Sequence, residues 1–375
     1  MRLIHTADWQ IGRVFRFLDQ ATAGMLQAAR LDAISTIGRL AVDHGAEAVL
    51  VAGDVYDHDG LSDRTLGQAL ERMRPFDRIE WHLMPGNHDP YVVGGVWERL
   101  MRLGLPPHVR VHQEAGAVAI GDGTAWLLPA PLRRKRALDD PTTWMDQAET
   151  PAGKIRIGLA HGSITTFGST DKGVPNVIAP TRPQEALLDY LALGDWHGRR
   201  QIGPRCWYPG TPEPDRFDQP DAGSVLLVEI SEPGALPEVR SLASARYVWR
   251  REHALLQGLD DVETLERRLR TLHPDPSCLL IDLVVEGALA LKEREAFERG
   301  IAGSLGAAFC HLQIDDGSLL TSPSPADLDA IAKGGVLRAA ALRLQAQAQD
   351  ANDPEADLAA RALIRLYLEY QKLPP

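Results

Sequence analysis

The residues best suited to chemistry stand at the ends of short apolar runs. Leu3-Ile4 leads to Asp8 and Gln10, Ala48-Val49-Leu50-Val51 to Gly53-Asp54, and Trp81-His82-Leu83-Met84 to Gly86-Asn87-His88-Asp89. Ile155 to Ala160 runs directly into His161, and Leu191-Ala192-Leu193 into Asp195-Trp196-His197. The carboxyl ends of strands form the functional crevice of an open α/β sheet, so five strands bring carboxylate, amide and imidazole groups to one edge. Packing alone gives no reason for that coincidence. Two divalent ions about 3.5 to 4 Å apart, bridged by a carboxylate, activate water, hold a phosphoryl oxygen and stabilise the leaving oxygen of an in-line displacement. Mixed oxygen and imidazole ligands suit manganese, iron or zinc. A histidine left uncoordinated can protonate the departing alkoxide. Glycine before Asp54 and Asn87 fits sharp turns that let ligands approach an ion closely.

These residues need a scaffold, and the first 230 or so alternate strand-like runs with amphipathic stretches, the α/β pattern. Met25, Leu26, Ala29, Ile34, Ile37, Leu40 and Ala41 recur at steps of three and four, which predicts a helix packed on a sheet. A second helix is predicted from Ser62 as N-cap, with Leu66, Ala69, Leu70 and Met73 on one face, ending before Pro75. Gly121-Asp122-Gly123 marks a hairpin, and Ser224 to Ile230 a last strand. After Glu232-Pro233-Gly234 the pattern restarts as strand, helix, strand, helix, strand over 246–255, 261–272, 278–285, 290–304 and 309–314. Thr321-Ser322-Pro323-Ser324-Pro325 has linker composition, and 326–348 and 354–371 are predicted helices rich in Ala, Leu and Arg. The expected domains are therefore 1–232, 245–320 and a helical tail at 326–375.

With those motifs in order at strand ends, the chain resembles the calcineurin-like metallophosphoesterases, and most closely the SbcD family of DNA repair exonucleases. Gly53-Asp54-Val55-Tyr56-Asp57 and Gly86-Asn87-His88-Asp89 match the GDxxD and GNHD motifs; Gly194-Asp195-Trp196-His197 is similar to GHxH, and Tyr208-Pro209-Gly210-Thr211-Pro212-Glu213 to the segment that follows. The resemblance covers nearly the whole chain and implies a two-sheet sandwich flanked by helices, with a small α/β capping domain. It implies two divalent ions, Mn2+ first and Mg2+, Fe or Zn as alternatives. One ion would take Asp8, Gln10, Asp54 and His197, and the other Asp54, Asn87, His161 and Asp195. His88 would be the proton donor, with Asp57 orienting it or a ligand. Two positions depart from the pattern. Gln10 stands where DxH has its histidine, and Asp195 replaces the first histidine of GHxH. Gln10 is accordingly either a ligand or a solvated loop residue, since a neutral amide binds weakly.

Composition narrows the function classes. The chain has 375 residues, 44% hydrophobic and 24% charged, an ordinary globular balance at a length of two or more domains. Cys206, Cys278 and Cys310 are scattered, odd in number and show no CxxC spacing, which argues against a thiolate zinc site and a disulfide framework. The first residues lack a signal-peptide pattern and no window of about eighteen apolar residues occurs, so a cytoplasmic protein without a membrane span is expected. A net charge of −11 argues against coating nucleic acid through a globally basic surface. Local contact with DNA remains open through Arg199 and Arg200, just after the last ligand, or through Arg133-Arg134-Lys135-Arg136; each group is equally a solvated loop. The resemblance implies a DNA nuclease that works with an SMC-like ATPase of the SbcC type, contacted by Leu337, Leu342, Leu344, Leu363, Ile364, Leu366, Tyr367 and Leu368 in the tail. It also implies a homodimer. The competing readings are a small-molecule phosphodiesterase or phosphatase, and a DNA-end scaffold weakened by Gln10 and Asp195. His5, His58 and His82 are expected to be ordinary, partly buried histidines, and Met25 and Met73 core.

Overall fold

The computed structural model describes residues 1–164, 175–321, 335–348, 350 and 353–371. Residues 322–325 of the expected linker, 326–334 of the first tail helix, and the side chains of Ile364, Tyr367 and Leu368 lie outside the described residues. The chain divides into two compact units, Met1–Val248 and Trp249–Pro375.

In chain order the strands of the first unit are β1 (Arg2–Thr6), β2 (Ala48–Val51), β3 (Glu80–Leu83), β4 (Val109–Val111), β5 (Val118–Ile120), β6 (Ala125–Ala130), β7 (Ile155–His161), β8 (Ser163–Ile164), β9 (Val177–Ile178), β10 (Tyr190–Gly194), β11 (Arg200–Gly203), β12 (Cys206–Tyr208), β13 (Ser224–Glu229) and β14 (Glu238–Ala243). They form two six-stranded sheets, ordered β14-β13-β1-β2-β3-β4 and β11-β12-β10-β7-β6-β5. The centres, β1-β2-β3-β4 and β12-β10-β7-β6, are parallel, so the ligand-bearing strand ends share one direction within each sheet.

Two-residue alternation fixes the layers. Ile4, Val49 and Val51 join Ile34, Ile37, Leu66, Leu70 and Trp97 from the helices α1 (Gln20–Asp43), α2 (Asp63–Met73) and α3 (Val96–Leu103). Leu3, Ala48 and Leu50 point the other way, to Leu127, Ile155, Ile157 and Leu159 of the second sheet. Leu128, Leu191 and Leu193 line its far face with Met145 and Ile178. Ser62 caps α2 by accepting the Thr65 N–H at 3.2 Å, and Gly121 to Thr124 turn β5 into β6, both as the sequence predicts.

Four expectations need correcting. Met25 is 45% exposed, and the inner face of α1 uses Leu26, Ala29, Arg30, Ala33, Ile34 and Ile37. His5 and His82 are fully buried rather than partly so; His5 lies 2.9 Å from the Tyr190 hydroxyl and 3.1 Å from the Leu193 carbonyl. Glu232-Pro233-Gly234 does not end the first unit, because β14 pairs antiparallel with β13 across it and the unit continues to Val248. The breaker is a hairpin connection.

The second unit has a three-stranded sheet, Val248–Leu256, Leu279–Leu289 and His311–Thr321 in that order. Helix Leu259–Arg270 buries Val262, Leu265 and Leu269, and a helix from Leu291 passes into a π-helical stretch, Glu298–Leu305. Helices Val336–Ala348 and Ala356–Gln371 pack through Ala341 and Leu363, with Leu344 and Leu366 beside them. No helix among the described residues is long and apolar enough to cross a membrane.

Candidate metal centre

The loops leaving β1 and β2 are zipped together. Asp8 N–H donates to the Gly53 carbonyl at 3.1 Å, Gln10 N–H to Asp54 at 2.9 Å and Ile11 N–H to Val55 at 2.9 Å. The pairing holds Asp8, Gln10 and Asp54 at φ of 55°, 44° and 53°, and Asp195 stands at 107°. Non-glycine residues seldom adopt positive φ, and such strain clusters at functional sites. Two glycines are needed for space. A Cβ on Gly53, itself at φ 84°, would lie 2.4 Å from His161 Nδ1, and one on Gly86 would lie 2.2 Å from Asp54 Oδ1.

The structure brings Asp8, Asp54 and His161 together, fully buried, with ligand atoms within 4.8 Å of one another. His161 Nδ1 lies 2.8 Å from the Ala52 carbonyl and must donate to it, which leaves Nε2, as the ring's exchangeable position, facing Asp54 Oδ1 at 3.4 Å and Asp195 Oδ1 at 3.8 Å. Among the described residues Nε2 has no hydrogen-bond partner, and neither does the buried Asn87 Oδ1. Asn87 Nδ2 reaches Asp195 Oδ1 at 3.3 Å, and Ser163 Oγ donates to Asp195 Oδ2 at 2.8 Å. Asp195 N–H points at the Asp8 carboxylate, 3.2 Å away. An unsatisfied buried polar atom is costly. Two of them beside three carboxylates are what a divalent cation would satisfy, so Asp54, Asn87, His161 and Asp195, with Asp8, fit an ion.

The charges agree. Burial pushes Asp8 up to about 6 despite the His197 and His161 rings. Burial opposes protonation of His161, yet the Asp54, Asp8 and Asp195 carboxylates outweigh it and raise the ring to about 9. The pocket demands positive charge, and the His161 proton supplies it when nothing else does.

The residues for a first ion are placed differently. Gln10 Nε2 lies 3.1 Å from His197 Nε2, while Gln10 Oε1 accepts from Arg13 Nη1 at 2.6 Å. His197 Nδ1 faces Asp215 Oδ1 at 3.4 Å and Gln219 Nε2 at 2.9 Å. Asp215, buried, also binds Arg13 Nε at 2.8 Å and Arg30 Nη2 at 3.3 Å. Burial would raise its carboxyl, but the His197 hydrogen bond and the two guanidiniums hold it well below the usual carboxylate range. Gln10 and His197 are therefore already satisfied by protein groups and do not fit an ion as they stand.

His88 sits at the rim, its side chain 44% exposed. Its main-chain N–H donates to Asp54 Oδ1 at 2.9 Å, and its Nδ1 lies 3.0 Å from the main-chain carbonyl of Asp57. The Asp57 carboxylate is farther, 3.9 Å from that ring and 3.6 Å from Arg13, so it is the carbonyl of Asp57 that orients the imidazole. Lys135 and Arg136 share a cavity of ≈ 270 Å³ with Asn87 and His88. Their loop is pinned by Asn176, whose side chain accepts the Ala137 N–H at 2.8 Å and donates to the Lys135 carbonyl at 2.9 Å. Arg199 and Arg200 instead line a separate cleft of ≈ 380 Å³ with Trp207 and Val239, where Arg199 faces Asp221 at 3.6 Å.

Sequence reasoning missed several supports. Asp89 accepts the Gly86 and Tyr56 N–H groups at 2.7 and 2.9 Å, fixing the loops that carry Asn87 and Asp54. Thr211 Oγ1 donates to the Asp8 carbonyl at 2.9 Å. Asp215, Arg13, Arg30 and Gln219 form the network behind His197. A buried arginine on an otherwise apolar helix face, Arg30, was the one visible signal.

Known proteins with similar sequences share one name, the D subunit of the nuclease SbcCD. That of Rhodobacter capsulatus is 34% identical over 94 residues, 24% of this chain and 22% of that protein. The Bacillus subtilis protein is 23% identical over 62% of this chain and 67% of its own length. The Escherichia coli K12 one is 22% identical over 84% and 91%. The crystal structure of TT1561 of Thermus thermophilus superposes with a TM-score of 0.41 at 12% identity, over 65% of this chain and 98% of that one. The profile of the calcineurin-like phosphoesterases matches residues 1–221, which include every ligand and support described above, and the chain belongs to that family.

Proposed function

We propose that the protein is a metal-dependent nuclease that hydrolyses DNA phosphodiesters. The observation that carries this is the pair of unpartnered ligand atoms, Asn87 Oδ1 and His161 Nε2, among three carboxylates, opening beside His88 onto a cationic cavity. Asp54, Asn87, His161, Asp195 and Asp8 would hold the ion. When bound, it supplies Lewis acidity and an activated water. Asp195 in place of an imidazole makes the set oxygen-rich, which favours Mn2+ or Mg2+ over softer ions. His88, steadied by the Asp57 carbonyl, gives its Nε2 proton to the leaving oxygen. Lys135 and Arg136 stand where a phosphate chain would pass His88, a better position than that of Arg199 and Arg200. Three relatives bear the name of a nuclease subunit, which supports DNA as substrate.

That name also implies a second kind of chain in the nuclease, and the resemblance supplies an SMC-like ATPase of the SbcC type. We place its contact on the tail, where Leu337 and Leu342 are 38% and 50% exposed while Ala341 and Leu363 are covered. Residues 249–321 would cap and guide DNA, and the assembly would work in the cytoplasm.

The test compares linear duplex, single-stranded DNA and bis-p-nitrophenyl phosphate, after EDTA treatment and after adding Mn2+. Mn2+-dependent DNA cleavage is expected. His88→Ala should retain metal and cleave roughly 100-fold or more slowly. Hydrolysis of the small ester with intact DNA would leave a small-molecule phosphodiesterase; bound metal with neither activity would leave a DNA-end scaffold.

A further inference from the structure

The two halves of the ligand cluster make unequal demands on a cation. Arg13 carries only donors, so the Gln10 atom 2.6 Å from it must be the oxygen, and the atom facing His197 must be the amide nitrogen. Turning the amide over would set N–H against N–H at hydrogen-bond distance. With Nε2 of Gln10 donating to it, the Nε2 lone pair of His197 is committed; a protonated ring would have no lone pair there at all. An ion on the remaining lone pair of Gln10 Oε1 would share that atom with a guanidinium. Arg13 and Arg30 flank the buried carboxylate of Asp215, and Arg13 also faces that of Asp57 at 3.6 Å, so this half already holds fixed cations belonging to the chain. Among the described residues, the other half presents Asn87 Oδ1 and His161 Nε2 without hydrogen-bond partners, and no arginine or lysine is ion-paired to Asp54 or Asp195.

We infer that this chain holds one divalent ion tightly, on Asp54, Asn87, His161, Asp195 and Asp8, and that the Arg13 guanidinium, clamped by Gln10 and Asp215, takes the electrostatic place of the second ion that the family resemblance implies. The inference rests on the reading of the cluster as a metal centre. Gln10 and Arg13 then act as a unit: the one amide gives its oxygen to the guanidinium and turns its nitrogen to His197. Arg13 lies 3.6 Å from Asp57, whose carbonyl orients His88, so the fixed cation stands on the side from which the general acid works.

The experiment is a Mn2+ titration of the metal-free full chain, read by metal content after dialysis and by electron paramagnetic resonance. One equivalent per chain with an uncoupled spectrum, unchanged in excess Mn2+, is expected. The double substitution Gln10→His with Arg13→Ala should admit a second equivalent at least about ten-fold tighter than in the wild type and produce an exchange-coupled spectrum. Two tight equivalents with a coupled spectrum in the wild type would overturn the inference while leaving the metal-centre reading intact. No bound Mn2+ at all would overturn both. Should the double variant not fold, Arg13→Lys keeps the charge but loses the fork, and the wild-type titration decides alone.

Discussion

On one side of the cluster, Asn87 Oδ1 and His161 Nε2 lie buried beside Asp54 with no hydrogen-bond partner among the described residues. On the other, Gln10, His197 and Gln219 are hydrogen-bonded to one another or to Arg13 and Asp215, and Asp215 is ion-paired with Arg13 and Arg30, although Arg30 Nη2 and Asp215 Oδ2 meet as charges without hydrogen-bond geometry. Both sides hang from the same strand ends and use similar side chains. The difference teaches that ligand types do not by themselves make a metal site. Donor and acceptor balance does, because a buried group that has already exchanged water for a protein partner gains little from an ion. One half of the cluster is built to receive a cation, and the other carries its cation in the chain.

The comparison breaks most readily at Asp54, whose carboxylate faces His161 and accepts the His88 N–H. Asp54→Asn keeps the shape and removes the charge. Metal binding should fall below detection in equilibrium dialysis, with phosphodiester cleavage dropping by roughly three orders of magnitude or more, as when a group central to the chemistry is lost. A variant that still held stoichiometric Mn2+ would show that the unsatisfied half is not the ion's seat. On the satisfied half the cost should appear as stability instead. Asp215→Ala strands the buried Arg30 guanidinium, while Arg13 keeps Gln10 and Asp57, and breaking a buried ion pair costs about 3 to 5 kcal/mol. Urea denaturation of the metal-free protein would measure it; a loss of metal without loss of stability would mean that Asp215 serves the ion and not the fold.

Much of this was legible in the sequence, for identifiable reasons. A strand that ends in a ligand shows its ligand as the first polar residue after an apolar run, so Asp8, Asp54, Asn87, His161, Asp195 and His197 were all visible by position. The two-sheet sandwich came from the family resemblance, because β2 is apolar at every position and its two faces differ only in the structure. The partners of those ligands were hidden because they lie far along the chain: Asp215 meets Arg13 and Arg30 across about two hundred residues, and Asn176 reaches the 135–137 loop from just before β9. The sequence also misplaced the end of the first unit. Glu232-Pro233-Gly234 has the composition of a boundary, yet β14 returns to pair with β13, and local turn chemistry cannot distinguish a hairpin from a linker. Arg199 and Arg200 stand out by adjacency to His197, whereas the loop after it carries them to a different cleft.

A pH experiment sharpens the contrast further. In the metal-free protein His161 is raised from its ordinary value to about 9 because three carboxylates outweigh its burial. A folded-state pKa above the unfolded one gives stability that is fully present below about 6.5 and is lost as pH rises through about 9. Metal-free protein should therefore lose on the order of 2 to 3 kcal/mol between those limits, read as a falling melting temperature. Metal-loaded protein should not, since a coordinated imidazole carries no proton to lose. Mn2+ binding near pH 7.5 should release about one proton, detectable as a buffer-dependent binding enthalpy. A pH-independent apo melting temperature would remove His161 as the stand-in cation.

The smallest effect belongs to the rim. Lys135 and Arg136 are exposed on a loop held by Asn176 and border the cavity that contains Asn87 and His88. Exposed cations of this kind add little to folding, but each one that neutralises a phosphate releases condensed counterion. The logarithm of DNA affinity then falls against the logarithm of salt with a slope that changes by about one for each phosphate-neutralising cation removed. Lys135→Ala and Arg136→Ala should each flatten that slope by about this amount and weaken binding a few-fold, without altering melting temperature or metal content. Arg199→Ala should change neither slope nor affinity, because its guanidinium faces Asp221 in the other cleft. Fluorescence anisotropy with a catalytically silent Asp54→Asn background separates binding from cleavage. If Arg199→Ala flattened the salt dependence and Lys135→Ala did not, DNA would run along the outer edge of the second sheet, and His88 would have to reach its leaving group from a path the cavity does not line.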